Sequence, residues 1–407
     1  MFLINGHASG NTISSLKLKK MIPVTKPFLP KEDEFKEYID SIWERQWLTN
    51  NGPLLNDLEL KLKHYLNVDH MLFVCNGTFA LQLAIKALGL QGEIITTPFS
   101  YVATTSSIVW EGCKPVYVDI DPETFNIDPT KIEAAITPQT SAILATHVYG
   151  NPCDIDAIQA IADKYGLKVI YDAAHCFGTQ YKNKSVFDYG DITATSFHAT
   201  KLFHTIEGGA VFTRDPDLLK KMQHIRNFGH SGPESFAGLG INGKNCEFHA
   251  AMGLCNLKYV DEILKKRKSL SFHYYQRLGQ IKGRFPKLNK DNDYNYAYFP
   301  VLFETEQLRE RCTEKLEMAK IYCRRYFSPS LSTLPYVDQV AMPVCDDITK
   351  RIVCLPLYHT LTFPDLDMIC RIILRTQNYE DAPAKDNFGI LIADKIETEI
   401  NDLNSMK

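Results

Sequence analysis

Between residues 71 and 215 the apolar positions switch repeatedly between two spacings. Met71–Cys75 is a continuous apolar run closed by Asn76-Gly77, which predicts a short buried strand. Thr78–Leu88 follows with Ala and Leu at helical spacing. Glu93–Thr97 and Pro115–Asp119 are strand-like again, and Ser141–Val148 reads as a buried strand. Asp154 has the character of a helix N-cap, with Ile155, Ile158, Ala162 and Tyr165 on one face and Gly166 as the stop. The run Leu167–Tyr171 then leads into Asp172. This alternation predicts an α/β layer around a mostly parallel sheet. Ligands of such sheets gather at the carboxyl ends of the strands, where both Asn76-Gly77-Thr78 and Asp172 stand.

After about residue 255 the texture changes. Asp261–Leu278 predicts a long amphipathic helix rich in Lys and Arg. Tyr294–Val301 is strand-like, Leu308–Arg325 has helical spacing, and Leu355-Pro356-Leu357 precedes another helix. The expected division is an N-terminal extension (1–20), a large domain (21–260) and a smaller α+β C-terminal domain (261–407). The last part ends in a loosely attached polar tail from about Asn378. Met21-Ile22-Pro23-Val24 reads as a natural start.

Composition narrows the class. The 407 residues are 45% apolar and 23% charged, which suits a soluble globular protein with a large core. A net charge of -3 gives no electrostatic case for nucleic acid. No apolar run approaches a membrane span, and the first twenty residues lack a signal-peptide core. The eleven cysteines are scattered singly, without a Cys-x-x-Cys pair. Free thiols in a cytoplasmic protein are expected, and no metal site.

The chemistry centres on Lys201, in the run Ser196-Phe197-His198-Ala199-Thr200-Lys201 ahead of Glu207-Gly208-Gly209. A lone lysine is ordinarily a solvated surface charge. This one follows an aromatic and small-residue run and lies downstream of an acid at a strand end. Lysine for a Schiff base and Asp172 for a pyridinium nitrogen are what pyridoxal 5′-phosphate needs. Asp172 could equally cap a turn. His175 is either a loop histidine or a neighbour of the ring. Asn76-Gly77-Thr78 is either a plain capped turn or an anion site at a helix start, with Ser196 adding a hydroxyl. For Tyr101 the choice lies between stacking on a cofactor and ordinary core, and the residues alone favour core.

Taken together, several motifs occur in one order. They are Asn76-Gly77-Thr78, Ser100–Thr104, His147–Asp154, Asp172–His175, Ser196–Lys201, Glu207-Gly208-Gly209, Arg226–Gly229 and Gly240-x-Asn242-x-Lys244-x-x-Glu247. Across residues 22–375 or so the chain resembles the DegT/DnrJ/EryC1 family of pyridoxal phosphate-dependent sugar aminotransferases. Ile22–Phe28, Trp47–Pro53 and Lys201–Thr205 are most similar to its dTDP-4-amino-4,6-dideoxyglucose subgroup.

The resemblance implies a fold-type I (aspartate aminotransferase-like) homodimer with active sites at the interface. It implies that Lys201 carries the cofactor, Asp172 holds the ring nitrogen, His175 lies by the ring oxygen and Tyr101 stacks on the ring. Gly77, Thr78 and Ser196 surround the phosphate, and Asn227 reaches it from the partner. Thr49, Asn242 and Lys244 are candidates for the nucleotide sugar, with interface packing an equal alternative for Asn242 and Lys244. The implied reaction moves the amine of L-glutamate to C4 of dTDP-4-keto-6-deoxy-D-glucose, for lipopolysaccharide O-antigen synthesis. The alternatives are transfer to C3 of a 3-keto-6-deoxyhexose nucleotide and a non-catalytic regulator. Leu202-Phe203-His204 after the lysine favours C4, and the intact cofactor set favours catalysis.

Overall fold

A computed structural model of the chain describes residues 21–379. The predicted N-terminal extension and nearly all of the polar tail lie outside those residues. Five parallel-running strands open the main sheet: β1 (Met71–Val74), β2 (Glu93–Thr96), β3 (Lys114–Tyr117), β4 (Thr140–Thr146) and β5 (Lys168–Asp172). Strands Ile192–Ser196 and Gly209–Phe212 complete it. The order across the seven-stranded sheet is β1, Gly209–Phe212, Ile192–Ser196, β5, β4, β2, β3. Only Gly209–Phe212 runs against the rest, pairing antiparallel with both neighbours.

Burial on both faces explains the near-continuous apolar strands. Phe73, Ile95, Ile143, Val169 and Phe212 join one core with helices α1 (Glu32–Arg45), α2 (Pro53–Leu66), α5 (Ile155–Tyr165) and α7 (Glu247–Leu257). Their strand neighbours Leu72, Ile94, Leu144, Ile170 and Val211 join the opposite core with α3 (Gly77–Leu88) and α6 (Pro216–Arg226). A one-residue slip would exchange the faces, so register is tightly specified. Each fully buried aliphatic side chain contributes about 1.5–3 kcal/mol relative to exposure.

Local signals set the boundaries. The Asn76 side chain accepts from Phe79 N–H at the start of α3, and Asp154 accepts from Ala157 N–H at the start of α5. Gly166 closes α5 in the left-handed region, φ 67°. Tyr165, expected on the apolar face of α5, is exposed instead.

A second core lies C-terminal. Strands Gly283–Arg284, Phe299–Phe303 and Ile352–Leu355 form an antiparallel sheet. Helices α8 (Val260–Arg277), α9 (Glu306–Met318) and α11 (Phe363–Asn378) cover one face of it. The other face turns Leu302, Ile352 and Cys354 toward Phe99, Tyr149, Phe327 and helix α10 (Pro343–Arg351).

Three expected elements differ. Tyr294–Tyr298 is not strand, because the buried Asn295 amide donates to the carbonyls of His175 and Phe177 and holds the segment as a fixed loop. The helical spacing of Leu308–Arg325 stops at Met318, since Lys320 turns at φ 62°. Beyond it Arg324 pairs through both backbone groups with Cys354. The strand expected to reach Val148 ends at Thr146, and Val148–Gly150 forms a tight turn.

Candidate active site

The carboxyl ends of β1, β2, β4, β5 and Ile192–Ser196 converge on a cavity of about 250 Å³. Lys201, Asp172, His175, Tyr101 and Ser196 all line it, as do Gly77 and Thr78.

Lys201 is held by a tight loop that prolongs the antiparallel pair. Phe197 N–H donates to Gly208 O at 2.8 Å, Ala199 N–H to Ile206 O at 2.8 Å, and Lys201 N–H to His198 O at 2.8 Å. Burial pushes the Lys201 amine down to about 8, against the opposing charge of Asp172. A neutral amine is thus available near neutral pH, which a Schiff-base lysine requires.

Asp172 ends β5. One carboxylate oxygen accepts from Thr104 Oγ1 at 2.7 Å and the other from Ala174 N–H at 3.1 Å. Burial raises its pKa, and the Thr104 and Ala174 bonds and the Lys201 charge oppose that shift. His175 is buried among aromatic rings, stacked on Phe327 at 5.7 Å and edge-on to Tyr298 at 4.7 Å. Burial, then the Lys201 charge, holds its pKa well below the usual imidazole value, so the ring is neutral. Its Nδ1 is buried without a hydrogen-bond partner among the described residues.

Gly77 starts α3 against Ser196. A Cβ at Gly77 would stand 2.8 Å from Ser196 Cβ, so only glycine allows this approach. The first-turn N–H groups of a helix have no acceptor within it, which leaves Gly77 and Thr78 facing the cavity as an anion cradle. Tyr101 is 52% exposed at the start of α4 (Val102–Trp110), so the core reading for it is wrong.

Four residues expected at the nucleotide sugar, or across an interface, stand outside the cavity of their own chain. Lys244 Nζ donates to Asn227 Oδ1 at 2.7 Å, and Asn242 pairs with Asn227 through the backbone. Thr49 Oγ1 donates to Asn245 O at 3.4 Å. None of Asn227, Asn242, Lys244 or Thr49 lines the Lys201 cavity of its own chain. Glu247, the last residue of that motif, is fully buried and accepts from the N–H groups of Leu54 and Leu55, both at 2.9 Å. It therefore caps α2.

Four residues at or behind the cavity wall escaped the sequence reading. Thr104 was visible only as part of a motif, because its contact with Asp172 spans 68 positions. Arg324, Tyr326 and Phe327 enter from the segment after α9, with the Arg324 guanidinium over the Tyr326 ring at 4.6 Å. A basic side chain in an apparently helical run carried no signal of that placement.

A poised lysine amine, a buried acid, a neutral imidazole with an orphaned nitrogen and an anion cradle fit pyridoxal phosphate group by group. The fold and site define an enzyme that handles amines and carbonyls through that cofactor. The DegT/DnrJ/EryC1/StrS aminotransferase family model matches residues 30–374. The chain belongs to this family, and it is a pyridoxal phosphate-dependent aminotransferase.

A dTDP-4-amino-4,6-dideoxy-D-glucose transaminase of Shigella dysenteriae is 43% identical over 366 residues, covering 88% of this chain and 99% of that protein. One of Escherichia coli, with the same name, is 40% identical over 370 residues, covering 87% and 98%. The solved structure of DesI in the presence of its TDP-sugar product superposes with a TM-score of 0.83 at 32% identity, covering 88% of this chain and 93% of that one. Among the described residues no helix is long and apolar enough to cross a membrane, and no cluster suits a metal ion.

Proposed function

We propose that the enzyme transfers the amino group of L-glutamate to C4 of dTDP-4-keto-6-deoxy-D-glucose, giving dTDP-4-amino-4,6-dideoxy-D-glucose and 2-oxoglutarate. The observation that carries this is end-to-end similarity to two transaminases of that name, with Lys201 in the cavity. The same similarity favours C4 over C3, and the complete cavity speaks against a silent regulator.

The bound cofactor supplies an electron sink for the carbon that carries the moving amine. On this reading Lys201 would hold the cofactor through its amine and would carry a proton at that carbon; its lowered basicity suits both tasks. Asp172 would keep the ring nitrogen protonated. The orphaned Nδ1 of His175 fits a bond to the ring oxygen. Tyr101 would cover the ring, and Gly77, Thr78 and Ser196 would take the phosphate.

Asn227 would reach the phosphate of a partner subunit, with Thr49, Asn242 and Lys244 beside it toward the nucleotide. Exposed Phe228, Phe236, Leu239 and Ile241 around Asn227 support a homodimer through this edge, since apolar patches of this kind mark interfaces. A solution mass of one chain, 46.3 kDa, would remove that part. We also place a domain division near residue 260. The first turn of α8 meets the large core through Val260 and Ile263, and its later turns meet the small one through Leu270 and Tyr274. Eleven free cysteines suit a cytoplasmic enzyme, and an activated amino sugar suits O-antigen assembly.

The experiment is turnover with L-glutamate and the keto sugar nucleotide, followed by NMR of the product. An amine at C4 is expected. An amine at C3, or no sugar product beside active glutamate deamination, would contradict the assignment.

A further inference from the structure

Two further hydroxyls stand in line behind the one that reaches Asp172. Thr104 Oγ1 donates to it at 2.7 Å, Ser100 Oγ lies 2.6 Å from Thr104 Oγ1, and Thr146 Oγ1 lies 3.0 Å from Ser100 Oγ. All four side chains are buried. They come from three places: the start of α4, the end of β4 and the end of β5.

The direction of this chain is fixed by counting protons. A carboxylate can only accept, so the single Thr104 proton goes to Asp172. Ser100 must then give its proton to Thr104, and Thr146 gives its own to Ser100. Three hydroxyl dipoles align with their positive ends toward one carboxylate, and such chains polarise one another. Protonating Asp172 would weaken its terminal acceptor, because a hydrogen bond to a neutral carboxyl is weaker than one to a carboxylate, so the aligned chain favours the charged form.

We propose that Thr146, Ser100 and Thr104 form a polarised hydroxyl relay that orients Asp172, holds it as the carboxylate, and so sets how firmly the enzyme grips the cofactor's ring nitrogen. The proposal rests on the reading that Asp172 faces that nitrogen. Thr104 is the cleanest probe, because it touches Asp172 without lining the cavity. It is a positioning residue, acting through Asp172.

The relay is tested by the dissociation constant of the cofactor-free protein for pyridoxamine phosphate, which binds without a covalent link to Lys201. Thr104→Val keeps the shape and removes the donor to a charged group, and should weaken binding by about 10–100-fold. Ser100→Ala removes the neutral bonds to Thr104 and from Thr146, one step further from the charge though at the cavity wall, and should weaken it by about 2–10-fold. Thr104→Ser retains the hydroxyl and should bind like the parent. Thermal melting of each variant is followed alongside. Parent-like binding by both Thr104→Val and Ser100→Ala would overturn the relay. So would an equal loss in Thr104→Ser and Thr104→Val, because the methyl and not the hydroxyl would then matter. Asp172→Asn separates the two levels of the argument. If it binds like the parent, the placing of Asp172 on the ring nitrogen has failed; if it binds weakly while the hydroxyl variants do not, only the relay has failed.

Discussion

A lysine in water keeps its proton to about pH 10.4, and this one gives it up near 8 because burial penalises the ammonium more than Asp172 supports it. The depressed value means that the folded state releases a proton the unfolded chain would hold. Stability of the cofactor-free protein should accordingly rise as pH climbs from about 8 to 10.5, and below 8 the full penalty is present. Reactivity follows the same titration. The rate at which cofactor-free protein captures pyridoxal phosphate, read as growth of visible absorbance, should rise with pH and reach half its maximum near 8. A midpoint near 10.5, or capture persisting in Lys201→Ala, would contradict this. At this scale the sequence was informative where one residue type has few alternatives. Lys201 and Asp172 stood out by type and position, and the cavity contains both. Tyr101 did not, because an aromatic after a strand fits core and cavity alike. Arg324 and Thr104 gain their meaning from long-range contacts that no local pattern carries.

Elements were legible where burial has a period and a local stop. Strands β1 to β5 and helices α3, α5 and α8 follow their apolar spacing, with Asn76, Asp154 and Gly166 marking ends, whereas Ile192–Ser196 and Gly209–Phe212 were not singled out as strands. Failures came where a distant partner overrides propensity. Asn295 holds an aromatic run away from strand geometry, and pairing with Cys354 draws Arg324 out of a helix. Glu247 shows the same dependence in reverse. Its carboxylate caps α2 from far along the chain, and Gly52 is required because a Cβ there would stand 2.4 Å from Glu247 Cδ. Glu247→Ala should therefore cost about 2–3 kcal/mol by leaving two buried donors unpaired. Denaturant unfolding would reveal it as a lower midpoint with unchanged slope. A midpoint equal to the parent's would show that water replaces the cap.

At the scale of the whole molecule, the alternation of strand and helix pointed to a mostly parallel sheet, and the reversed strand Gly209–Phe212 was the part that spacing could not reveal. That reversal matters, because the turn before it carries Lys201 back over the carboxyl ends where Asp172 and Ser196 wait. The segment bridged to the small sheet at Cys354 completes the site, since Arg324, Tyr326 and Phe327 line the cavity and Phe327 stacks on His175. Residues 283–355 thus finish a cavity begun at residue 76. The most direct measurement is the visible spectrum of the purified protein with pyridoxal phosphate, recorded alone, after L-glutamate, and after dTDP-4-keto-6-deoxy-D-glucose. The expected result is a cofactor band that disappears with glutamate and returns with the sugar nucleotide. A band that disappears without returning would contradict the acceptor assignment, and no Lys201-dependent band at all would contradict the account at its centre.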